Sequence, residues 1–98
     1  MNFLLDCDLS IGTLKKIIKN NSKQTLLCAE WNIERVVESI NYLKKIGIVK
    51  IDNILINRFD IVLRGETSLE KSFDKFGKTK LVNLINKNIK NIIYLDQY

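Results

Sequence analysis

The stretch from Asn32 to Gly47 constrains the fold more than any other part of the chain. Val36, Ile40 and Leu43 recur at steps of four and three, so a helix of 3.6 residues per turn buries them as one stripe. Asn32 stands where it can cap the first unpaired N–H groups, and Glu34 lies beside the positive helix end. At the other end Lys44 and Lys45 sit near the negative pole. Gly47 supplies a left-handed C′ position, and Ile48 can fold back onto Leu43 in a Schellman arrangement. The spacing predicts a helix over 32–46 with a hard stop.

The rest of the chain is organised around that helix. Its 98 residues suffice for one domain, 1–98, and 46% hydrophobic with 28% charged residues matches a soluble globular unit. The N-terminal apolar run, Phe3-Leu4-Leu5, is too short for a signal peptide or a membrane span, which predicts a cytoplasmic protein without a membrane partner. No proline, no Gly/Ser-rich linker and no repeat of fixed period is evident. Ser10 is a good N-cap for a helix with Ile11, Leu14, Ile17 and Ile18 on one side and Lys15, Lys16 and Lys19 on the other; Asn20-Asn21-Ser22 ends it. Residues 23–30 fit either a short helix or an extended piece.

After Gly47 the pattern changes. Residues 48–64 are rich in β-branched side chains, with Val49/Ile51 and Phe59/Ile61/Leu63 alternating, which predicts a β-hairpin turning at Asp52-Asn53 or Asn57-Arg58. A helix capped by Asp52, with Ile51 stapled against Ile56, competes with it. Thr67-Ser68-Leu69-Glu70 reads as a capping box opening a helix that stops at Gly77. A last amphipathic helix follows from about Thr79 through Leu81, Val82, Ile85, Ile89, Ile92 and Ile93. Its asparagines are poor helix formers, so packing must hold it.

Composition excludes several chemistries. The chain has no histidine, which removes the usual near-neutral acid/base and the commonest metal ligand. Cys7 and Cys28 cannot build a thiolate metal site alone; they read as core hydrophobes or one disulfide. Phosphate-cradling and nucleophile-elbow glycine motifs are absent. The acidic pairs Asp6/Asp8 and Glu34/Glu38 come without a nucleophile or a ligand set. The expectation is a protein that is not an enzyme, with no cofactor and no metal. Its net charge of +5 and pI near 9.3 favour a polyanionic partner, although the excess is spread as +1, +2 and +2 over residues 1–30, 31–65 and 66–98.

Taken in order, a lysine-faced helix, a short segment, the Trp31-Asn32-Ile33-Glu34-Arg35 opening, the Val36/Ile40/Leu43 core and the Gly47-Ile48-Val49 step resemble the winged helix-turn-helix family. The resemblance covers residues 10–65 and implies an α+β, mostly α fold with a β-hairpin wing and C-terminal helices over 66–98. It implies double-stranded DNA as the partner, and a transcriptional regulator or a DNA-binding adaptor in replication or partition as the function. The 32–46 helix would then enter the major groove, with Asn32, Glu34, Arg35, Glu38, Ser39, Asn41, Tyr42 and Lys45 as DNA-binding residues. Lys50, Arg58 and Arg64 would serve as wing contacts, and Lys15, Lys16 and Lys19 would approach a neighbouring phosphate. The resemblance also implies a homodimer paired through the last helix, with Ile85, Ile89, Ile92 and Tyr94 at the interface.

Two alternatives stand beside it. Glu34 and Glu38 project from the face that would meet phosphates, which suits a protein-interaction module or an inhibitor from a mobile element with a basic partner. If 49–64 is helical, the chain instead resembles an all-α, nucleic-acid-binding helical array of mitochondrial transcription-termination-factor-like repeats. Phe59 then stands near the place of the proline expected in the second helix.

Overall fold

Helices follow one another where the sequence pattern suggested a strand pair. A computed structural model describes residues 1–97. A 3-10 segment, Asn2–Cys7, leads to α1 (Ile11–Asn20), α2 (Lys23–Trp31) and α3 (Ile33–Lys45). Next come α4 (Ile51–Asn57), a 3-10 turn at Phe59–Ile61, α5 (Glu66–Phe76), α6 (Lys78–Lys87) and a second 3-10 segment, Ile89–Gln97. The chain is all-helical, at 80% helix, with no strand among the described residues. The α+β winged fold with its hairpin wing is therefore overturned.

The reason lies in which residues are buried. Ile48, Ile51, Ile54, Leu55, Phe59 and Val62 face the core, at steps dominated by three and four, while Val49 of the supposed alternation is exposed. β-branched residues lower helix propensity by only tenths of a kcal/mol each, so one continuous buried face outweighs them. Asp52 does not cap α4. Lys50 holds the cap position without a side-chain bond, and Asp52 sits in the first turn, accepting from the Thr13 hydroxyl at 3.4 Å.

Several local expectations agree with the structure. Ser10 Oγ accepts from the Thr13 N–H at 3.1 Å, and α1 ends at Asn20. Val36, Ile40 and Leu43 are fully buried. Gly47 has φ 99°, its N–H donates to the Lys44 carbonyl at 3.1 Å, and the Ile48 N–H donates to the Leu43 carbonyl at 3.0 Å, which completes the Schellman pattern. Residues 23–31 take the helical option. By contrast, the capping box at Thr67 is unused, because α5 starts one residue earlier, behind Gly65.

The fold also contains a repetition that residue identities conceal. α3, Gly47, α4 and a 3-10 turn are followed by α5, Gly77, α6 and a 3-10 segment, and both glycines have left-handed φ values, 99° and 109°. The offset between the glycines carries buried Leu43, Ile51, Leu55 and Val62 onto buried Phe73, Leu81, Ile85 and Ile92. α3 and α5 run in the same direction. Ser39, in the middle of α3, bonds Gly65 just before α5, and Tyr42 near the end of α3 meets Phe73 near the end of α5. α1 and α4 are likewise parallel, tied at their starts by Thr13 and Asp52 and at their ends by Asn21 Nδ2, which donates to the Leu55 carbonyl at 3.3 Å. Upstream, the Asn2–Cys7 segment packs on α3 and is joined to α1 through Asp8, the one non-glycine residue with positive φ among the described residues. Each unit thus lays its first element on the next unit's first helix.

The C-terminal end closes this array. α6 stops at Asn88, short of Ile93, and Asn91 Nδ2 donates to the Leu84 carbonyl at 2.7 Å across the break. Ile85 and Ile92 are buried in their own chain, Ile89 packs against the core, and the Tyr94 ring lies 5.2 Å from Phe76. The apolar face expected at a dimer interface is therefore used inside the domain. Cys7 is buried, Cys28 is exposed, and both are free thiols, so the disulfide option is not taken. Among the described residues no helix is long and apolar enough to cross a membrane.

Candidate functional site

The residues expected to read DNA fall into three environments. The first is solvent: Glu34, Arg35, Glu38, Asn41 and Lys45 form an exposed strip along α3, and Lys50 is exposed just before α4. The second is the core. Ser39 is fully buried, its hydroxyl donating to the Arg35 carbonyl at 2.9 Å while accepting from the Gly65 N–H at 3.1 Å. Tyr42 is only 4% exposed, with its ring edge-on to Phe73. The resemblance makes both DNA-binding residues, yet α5 packs against that flank of α3 and covers them.

The third environment is the chain's own polar network. Arg58 forks onto Asp60 at 3.0 Å and Asp96 at 2.6 Å, which holds the Asp96 carboxyl below its ordinary range and raises the guanidinium further. Arg64 donates to Ser68 Oγ at 3.1 Å, to the Leu95 carbonyl at 3.2 Å and to Ser72. These two arginines join the 3-10 elements of successive units, where wing tips had been expected. Asn32 differs from expectation too. It makes no side-chain cap to α3, and its Nδ2 donates back to the Cys28 carbonyl at 2.8 Å, closing α2. It is also the whole connection between α2 and α3, whereas a DNA-binding helix-turn-helix has a turn of three to four residues there.

The structure does bring part of the expected set together. Asn32, Glu34, Arg35, Glu38 and Arg64 line an open groove of about 790 Å³ between the start of α3 and the start of α5. Glu30, Trp31 and Glu66 complete its rim. Carboxylates predominate there: Glu30 is engaged by the Met1 amino group, and Glu34, Glu38 and Glu66 have no ion pair among the described residues. No group of side chains suited to a metal occurs among the described residues.

A second surface emerges only when charge is sorted by helix. α1, α4 and α6 together carry six lysines, Lys15, Lys16, Lys19, Lys78, Lys80 and Lys87, and one acid, Asp52. α3 and α5 balance five basic against five acidic residues. The positive excess of the helices therefore sits on α1 and α6, each with three lysines and no acid, while α4 carries Asp52 and no lysine. Division of the chain into thirds hides this, because Asp6, Asp8 and Glu30 offset α1 in the first third and the acids of α5 offset α6 in the last.

No family model, curated protein or solved structure matches the chain. The functional reading accordingly rests on the surface itself.

Proposed function

We propose that this chain is a non-catalytic, nucleic-acid-binding helical array in which the lysine-bearing helices α1 and α6, not α3, meet the phosphates. The observation that carries the proposal is the segregation of lysine onto α1 and α6, three on each helix and no acid on either. Five of those six lysines, Lys15, Lys16, Lys19, Lys80 and Lys87, are exposed and have no ion pair among the described residues, so they are available to displace counterions from a polyanion. Exposed asparagines, Asn53 and Asn57 on α4 and Asn83 on α6, add neutral donors suited to phosphate and sugar oxygens. The repeated helix, glycine, helix and 3-10 unit supports the helical-array resemblance, and stacked units of this kind form extended binding surfaces. The role is then a regulator or adaptor on nucleic acid.

Duplex DNA of random sequence, titrated with the protein at several salt concentrations, tests this. The expected result is a log–log salt dependence with a slope of about −0.9 per phosphate neutralised. Exchange of Lys15, Lys16 and Lys19 for Glu should flatten that slope by roughly three units. Binding indifferent to salt, or a triple variant indistinguishable from the parent, would overturn the proposal.

A further inference from the structure

α2 differs from every other helix in how little of it is buried. Among its residues only Ala29 is fully buried, with Leu26 half-buried against the core, and its outer face presents Leu27 at 54% and Trp31 at 83% exposure beside exposed Cys28. Leu27, Cys28 and Trp31, with Gln24 and Asn32, line an apolar pocket of about 370 Å³. Trp31 and Asn32 also belong to the carboxylate-lined groove, so the two depressions are continuous. The other strongly exposed apolar residues, Ile11, Val49 and Ile93, lie on α1, in the α3–α4 connection and on the C-terminal 3-10 segment.

Exposure of a tryptophan and a leucine to water has no benefit to the isolated fold, and a contiguous apolar patch with a polar rim marks an interaction surface. The rim decides the occupant. On a chain of net charge +5, Glu34, Glu38 and Glu66 make this corner locally acidic, and of the two arginines nearby Arg64 is held by Ser68 and the Leu95 carbonyl. Polyanions and acidic lipid surfaces are disfavoured there, and a cationic partner is drawn in. The apolar pocket leads across Trp31 into the acidic groove. That order fits a helix with a large apolar residue followed, one to two turns on, by lysine or arginine, the helix-in-groove mode of recognition.

We propose that the α2–α3 corner docks a lysine- or arginine-bearing amphipathic helix of a partner protein. Trp31 is its central anchor, Leu27 the pocket wall, and Glu34, Glu38 and Glu66 the charge complement. This interface leaves the lysines of α1 and α6 free, so it operates independently of nucleic-acid binding.

Trp31 is the chain's single tryptophan and therefore reports directly on the corner. The test titrates the full chain with three synthetic peptides: an 18-residue amphipathic Leu/Lys helix, its Leu/Glu counterpart, and oligolysine of equal charge. The Leu/Lys peptide should shift Trp31 emission to the blue with saturation, the Leu/Glu peptide should not, and oligolysine should bind more weakly. The Glu34→Lys/Glu38→Lys variant, whose changes lie on solvent-exposed positions, should retain its far-UV circular dichroism and lose roughly tenfold in affinity for the Leu/Lys peptide. Leu27→Ala should also weaken binding. Equal affinity of parent and charge-reversed chains, or no emission shift with the Leu/Lys peptide, would overturn the proposal. So would an emission shift driven by protein concentration alone with a doubled sedimenting mass, since the occupant would then be a second copy.

Discussion

Removal of the Tyr42 hydroxyl should strengthen this fold. The side chain is buried, its ring meets Phe73 at 6.1 Å, and its hydroxyl has no hydrogen-bond partner among the described residues. An unpaired buried hydroxyl costs about 1–3 kcal/mol, whereas the contact with Phe73 and the Lys78 ammonium 5.9 Å above the ring survive in phenylalanine. Tyr42→Phe should thus raise stability by about 1 kcal/mol, or roughly 4–8 °C in melting temperature for a domain of this size. Alkali gives an independent reading. Burial, and then the carboxylates of Asp74, Glu70 and Glu66, push the phenol from 10.0 up to about 12. With the folded value above the unfolded one, the stability held by the neutral phenol is intact below pH 10 and lost as pH rises toward 12. Two pH units amount to about 2–3 kcal/mol. Urea denaturation of both chains at neutral pH and through this alkaline window measures both effects. The parent should weaken more steeply with alkali than the Phe variant. A variant less stable than its parent at neutral pH, together with equal alkaline slopes, would refute the reasoning.

Ser39→Ala should have the opposite sign, because it leaves the buried Gly65 N–H without its acceptor; a loss of about 1–3 kcal/mol in urea denaturation is expected. The Arg58 fork should appear in acid titration. Its hydrogen bonds hold the Asp96 carboxyl below its ordinary range, so the stabilisation is present above the unfolded aspartate value and is lost as pH falls through the folded one. Asp96→Asn should therefore be less stable than the parent at neutral pH, by up to about 1 kcal/mol for so exposed a pair. The difference should vanish in strong acid, as followed by thermal melts across pH.

The sequence revealed helices wherever local signals acted alone. Ser10 needs only the Thr13 N–H, and the Gly47 stop needs only its own last turn, so both were legible. Residues 48–64 were misread because β-branched composition is a local signal, while the burial of Ile51, Ile54 and Leu55 against α1 and α3 is not. The unit repeat escaped notice for a related reason: Gly47 and Gly77 recur, but Leu43 is matched by Phe73 and Leu55 by Ile85, equivalent in burial and different in identity. Of the candidate site, exposure was read correctly for Glu34, Arg35, Glu38, Asn41, Lys45 and Lys50. It was missed for Ser39 and Tyr42, since a helical wheel drawn around one buried stripe assumes one packing partner.

That assumption also decides which helix can approach a duplex. α3 is packed by α2, α4, α5 and the N-terminal 3-10 segment, so that between Val36 and Leu43 only Glu38 and Asn41 are exposed. A helix with its side chains is about 10–12 Å across, and the major groove about 12 Å wide, so a reading helix must stand clear of its neighbours along the inserted face. α3 does not, and its strip begins with Glu34 and Glu38 beside the further carboxylates of Glu30 and Glu66. α1, by contrast, exposes Lys15, Lys16 and Lys19 and has no acid along its length. The exposed cations of α1 and α6 can approach phosphates without insertion of a helix into the groove. Affinity on this geometry comes from backbone contact, so substitutions on α1 should weaken binding by a similar factor on every sequence. A loss confined to one sequence would instead place base recognition on α1.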